Sequence, residues 1–122
     1  MIESKVRQLI HKLAKLTNEN KMDWYVTNRD TEYAYSFSHG RVTIDRWLGQ
    51  DDGSAFVEFV IYNNNGDQVE RLMLCDDDND EDFTLLNNFY NIVYKKYIKS
   101  EETLDGILSD LEVIDSDAEI PF

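Results

Sequence analysis

The densest set of ligand-type side chains lies between Asp76 and Asp82, where acids at 76, 78 and 80 occupy alternate positions. Carboxylates at that spacing can hold a divalent cation. An EF-hand loop also needs Gly at its sixth position and Glu at its twelfth. Those positions are Glu81 and Asn87, so the match fails and the segment reads as a solvated cap for a following helix, with a weak divalent site as the other reading. His11 and His39 have no Cys or His partner at metal-ligand spacing. Cys75 has no neighbouring base and closes a predicted strand, which marks it as a packed small hydrophobe. Ser36, Ser38, His39 and Asp45 are the residue types of a hydrolytic triad, but no nucleophile-elbow motif presents them. P-loop and dinucleotide fingerprints are missing as well. The chain therefore reads as non-enzymatic, with no catalytic residue, metal ligand or cofactor expected.

Trp24, Trp47 and the seven Tyr fall at strand spacing, as on the stacking platforms that bind single-stranded nucleic acid. Half-buried sheet positions favour aromatics for packing alone, and Arg29, Arg41, Arg46 and Arg71 are read as offset by acids. A core role is the expectation. The chain holds 25 acidic and 12 basic residues, a net charge of −13. A generally basic nucleic-acid binder is excluded, because phosphate contacts need clustered Lys and Arg.

Beyond the last helical stripe the chain runs Glu112-Val113-Ile114-Asp115-Ser116-Asp117-Ala118-Glu119-Ile120-Pro121-Phe122 and contains the only proline. Asp115, Asp117 and Glu119 form a thinned acidic run ahead of Ile120, Pro121 and Phe122. This segment resembles the C-terminal tip of bacterial single-stranded-DNA-binding proteins. Ser116 and Ala118 interrupt a run that is more continuous in that family. The resemblance implies docking on replication, recombination and repair proteins, including a primosomal helicase, exonuclease I and a recombination mediator. Phe122 would be the buried anchor, Pro121 and Ile120 would set an extended shape, and the acids would steer encounter with a basic ridge.

The likeness covers about eight residues. An OB-fold begins with strands, whereas this chain begins with a helical pattern, and with 5 Gly and 1 Pro the family's long linker is missing. The body is loosely similar to small bacterial α+β proteins with a leading helix and a Lys21-x-x-Trp24-x-x-Thr27 strand. That likeness implies no function.

The elements that must carry these residues follow from periodicity. Ile2, Val6, Leu9, Ile10, Leu13 and Leu16 recur at steps of three and four, which predicts a helix over 2–16. Its other faces hold the one basic cluster, Lys5, Arg7, His11, Lys12 and Lys15. Period-two alternation from Tyr33 to Ser38 predicts a strand ending in a tight turn at His39-Gly40. Val42 to Leu48, residues 54–62 and Val69 to Cys75 continue as strands, with turns at Gln50–Gly53 and Asn63–Asp67. A shorter strand at Trp24 to Thr27 is expected to precede them, either separate or as the start of a long bent first strand.

A helix over 82–98 buries Phe83, Leu86, Phe89, Tyr90, Val93 and Tyr97. Ser100 caps a short third helix carrying Leu104, Ile107, Leu108 and Leu111. The expected fold is α+β: an N-terminal helix, a four-stranded antiparallel meander, and two C-terminal helices packed on one sheet face. Residues 1–111 form the domain and 112–122 an extended acidic tail.

Residues 1–75 hold 11 acids and 9 bases, a net of −2; residues 76–122 hold 14 acids and 3 bases, a net of −11. The acidic character belongs to the C-terminal third. The single cysteine excludes an internal disulfide and fits a reducing cytoplasm. No signal-peptide pattern and no apolar run of membrane length occur. The expected function is that of an interaction module whose tail engages a protein with a basic surface and an apolar pocket. The other reading is an acidic DNA mimic or immunity-type inhibitor occupying a nucleic-acid-binding groove.

Overall fold

The computed structural model describes residues 2–50, 53–76 and 81–118. Its elements are α1 (Ser4–Asn18), β1 (Tyr25–Val26), β2 (Tyr33–Phe37), β3 (Gly40–Leu48), β4 (Ala55–Asn63), β5 (Gln68–Cys75), α2 (Glu81–Tyr97) and α3 (Ser100–Ala118). The strands form one antiparallel sheet in the order β1-β2-β3-β4-β5. The fold is α+β.

The sheet has five strands rather than a meander of four. β1 pairs through Tyr25 with Ala34 and through Val26 with Tyr33. Two residues are too few to display a period of two, which is why the stretch at Trp24 to Thr27 stayed ambiguous in sequence. Close pairing of β3 with β4 depends on Gly40, since a Cβ there would lie 2.2 Å from the Tyr62 carbonyl oxygen. The β4–β5 turn uses Gly66 at φ 84°, a conformation that glycine adopts without steric cost.

Alternation along the strands sends Val42, Ile44, Val57 and Phe59 into one core with Ile10 and Leu13 of α1 and Leu86, Phe89 and Val93 of α2. α2 lies on β3, β4 and β5, and α1 packs against α2. Trp24 fixes the entry to the sheet. Its ring meets Tyr35 and Phe89 edge-on, with centroids 5.7 Å apart in both cases. Its Nε1 donates to Thr17 Oγ1 at 2.9 Å, and that hydroxyl donates to the Leu13 carbonyl at 2.7 Å.

α1 and α2 close the core between them, and α3 does not reach the sheet. Every residue from Glu101 to Ser116 is exposed, so the expectation of two C-terminal helices on one sheet face holds for α2 alone. No helix among the described residues is long and apolar enough to cross a membrane.

Candidate functional site

Lys99 makes the joint from which α3 departs. It takes the left-handed region at φ 56°; its N–H donates to the Lys96 carbonyl at 3.1 Å, and its own carbonyl accepts the Thr103 N–H at 2.9 Å. One backbone unit thus ends α2 and begins α3. Glu101 and Glu102 occupy the first turn, where the helix dipole favours negative charge.

Leu104, Ile107, Leu108, Leu111 and Ile114 recur at three- and four-residue steps and form one stripe. All five are between 51 and 62 % exposed. The comparably spaced Leu86, Phe89 and Val93 of α2 are at most 1 % exposed. The same periodicity therefore serves two ends: α2 completes the core, while the stripe of α3 has no covering element among the described residues. Seven acids and no base accompany it between Ser100 and Ala118.

α3 also runs further than its apolar pattern indicates. It continues to Ala118, past Leu111, because no Gly or Pro occurs between Gly106 and Pro121 and Ile114 extends the stripe by one step. Residues 112–118 are helical where an extended tail was expected. Among the tip residues, Asp115 is exposed on the last turns of α3 and Asp117 lies within the same helix. Glu119, Ile120, Pro121 and Phe122 lie outside the described residues.

The remaining candidates are placed elsewhere. Ser38 and His39 meet at 3.0 Å in an exposed turn, whereas Ser36 bonds Tyr25 and Asp45 is held by Thr31 at 2.6 Å and Arg29 at 2.5 Å. No triad is assembled from these residues. No group of three His, Cys, Asp or Glu among the described residues is placed to hold a metal ion. Asp82, expected in a solvated cap, is buried. Its Oδ2 accepts the Ile2 N–H at 3.0 Å and its Oδ1 pairs with Arg7. Burial alone would raise that carboxyl, but the hydrogen bonds from Arg7 and Ile2 hold it below its ordinary value.

Among the described residues, two of the four arginines read as offset by acids are so paired: Arg29 with Asp45, and Arg71 with Glu58 at 2.5 Å. Arg41 lies over the Tyr62 ring instead. Arg46 lies over Tyr90 and donates to Asn87 and Asn91, at 3.0 and 2.6 Å. The aromatics divide in the same way. Trp24, Tyr33 and Tyr90 are buried in the core, and Trp47 stacks on Phe56 across β3 and β4 at a centroid distance of 5.8 Å. The Tyr90 hydroxyl donates to the Thr31 carbonyl at 2.7 Å, and burial raises its pKa above the ordinary tyrosine value, as it does that of Tyr33.

Comparison with protein-family models, with curated proteins and with solved structures found no match.

Proposed function

We propose that this chain is a non-enzymatic interaction module whose acidic C-terminal arm docks on a replication, recombination or repair protein, in the manner of the single-stranded-DNA-binding protein tip. Phe122 is the anchor, Ile120 and Pro121 set the shape of the segment, and Asp115, Asp117 and Glu119 guide it to a basic surface. The setting is the cytoplasm.

One observation carries this reading: the core closes without α3, which leads toward the acidic tip with its apolar stripe uncovered. The resemblance of residues 115–122 to the family tip supplies the class of partner.

The test is a fluorescence-anisotropy titration of the labelled chain with purified exonuclease I and with the primosomal helicase, each also against a chain lacking Ile120–Phe122. Saturable binding that disappears on truncation supports the reading. Binding to neither protein overturns it. Binding that survives truncation favours the alternative, in which the carboxylates stand in for DNA phosphates.

A further inference from the structure

Resting on the reading of the arm as a docking element, we infer that α3 itself seats as a helix in an apolar groove with basic margins on the partner, through contacts separate from the Ile120-Pro121-Phe122 segment. From Leu104 to Ile114 the stripe extends about 15 Å along the helix axis at the usual rise per residue. Anchors at i, i+3, i+4 and i+7 are what an amphipathic helix offers to a groove. Here Leu104, Ile107, Leu108 and Leu111 are those anchors, each more than half exposed.

Charge identifies the occupant. At about 100° per residue, Glu101, Asp105 and Glu112 run along one margin of the stripe and Asp110 lies along the other. A second copy laid against this stripe would set carboxylates against carboxylates, with no Lys or Arg between Ser100 and Ala118 to offset them. Like charges flanking a helix pair oppose association. The basic side of α1 offers no apolar seat either. Lys5, Lys12 and Lys15 are exposed there, while Val6, Ile10 and Leu13 are already buried in the core. A different protein with Lys or Arg on both sides of an apolar groove satisfies stripe and margins together, and its charge speeds encounter.

Gly106 adds a discriminating handle. It sits within α3 on the side away from the stripe, and nothing lies within 4 Å of where its Cβ would be. Glycine weakens a helix interior by its extra backbone freedom. Gly106→Ala therefore stiffens the helix without touching the anchors.

The experiment is isothermal titration of the 122-residue chain with a synthetic amphipathic helical peptide bearing leucine anchors flanked by lysine. A counterpart with glutamate in place of lysine serves as control. The lysine peptide should bind saturably and the glutamate peptide should not. The double substitution Leu108→Ser and Leu111→Ser should weaken binding by about tenfold or more. Gly106→Ala should strengthen it by about two- to fivefold. Deletion of Ile120–Phe122 should leave it unchanged, which separates this inference from docking by the tip. Equal binding of both peptides, or no effect of the leucine substitutions, would overturn the inference. So would a dimer of the intact chain in sedimentation that the double variant converts to monomer, because the occupant would then be a second copy.

Discussion

Arg7 of α1 and Asp82 at the start of α2 form an ion pair across 75 positions of sequence, and the same carboxylate accepts the backbone N–H of Ile2. The two helices that close the core are thus joined at their N-terminal ends by one buried acid. This pair draws on the basic cluster of α1, so Arg7 is unlike its exposed neighbours Lys5, Lys12 and Lys15.

Removing Arg7 should destabilise the fold by about 1–3 kcal/mol, because a buried carboxylate loses a charged hydrogen-bond partner. Urea denaturation of Arg7→Ala against the parent measures this. The pH dependence has a definite sign. The Asp82 carboxyl is lowered in the folded state, so its contribution is present above the unfolded value near about 4 and is lost as pH falls through the folded value. Asp82→Asn should remove that part of the acid sensitivity. A parent and variant whose stabilities fall in parallel below pH of about 4 would contradict the assignment.

Trp24 should be sensitive to loss of its nitrogen as well as its ring. Trp24→Phe keeps an aromatic against Tyr35 and Phe89 but strands Thr17 without its indole donor, at a cost of about 1–2 kcal/mol. Trp24→Ala also opens a cavity, and about 3–5 kcal/mol is expected. Thermal denaturation followed by near-ultraviolet circular dichroism distinguishes the two.

Gly40→Ala should weaken the pairing of β3 with β4. The added methyl would meet the Tyr62 carbonyl oxygen at 2.2 Å, which belongs to the backbone and cannot swing aside. A loss of about 1–3 kcal/mol is expected from such overpacking, and hydrogen exchange should locate it to β3 and β4. An unchanged melting temperature would show that the sheet accommodates the methyl.

Deleting residues 100–122 should leave the body folded. The core contains no residue of α3, so the change in stability should stay within about 0.5 kcal/mol, while helical circular dichroism falls. A loss of many degrees in melting temperature would place the arm in the core.

For docking, Phe122→Ala should weaken binding to the partner by about 1.5–3 kcal/mol, the value of burying an aromatic ring. The same titration with exonuclease I reads it. Undiminished affinity would remove Phe122 from the role of anchor.

Most of the body was legible from spacing alone. Ile10, Leu13, Leu86 and Val93 were marked by period and are buried, and the turns at His39-Gly40 and Asn63–Asp67 lie between paired strands. The surroundings of amphipathic elements were not legible. Leu104, Ile107, Leu108 and Leu111 have the pattern of a core helix, and periodicity records that a face is apolar without recording what covers it. Composition held the missing signal, since a helix with seven acids and no base beside a sheet already covered by two helices has little reason to pack there. Asp82 escaped for a related reason: in a run of acids, nothing local separates the one that meets Arg7 from those that meet water.

The joint at Ile98 and Lys99 has a geometric consequence. Bacterial single-stranded-DNA-binding proteins carry their tip on a long linker, which lets the body wander while the tip is held. Here two residues separate α2 from a 19-residue helix, a strut of about 28 Å. A tether of that kind gives up reach and keeps the arm close to the body. On the docking reading proposed above, a partner that holds this arm would have the α+β body about one helix length away, and the body could act by what it obstructs there.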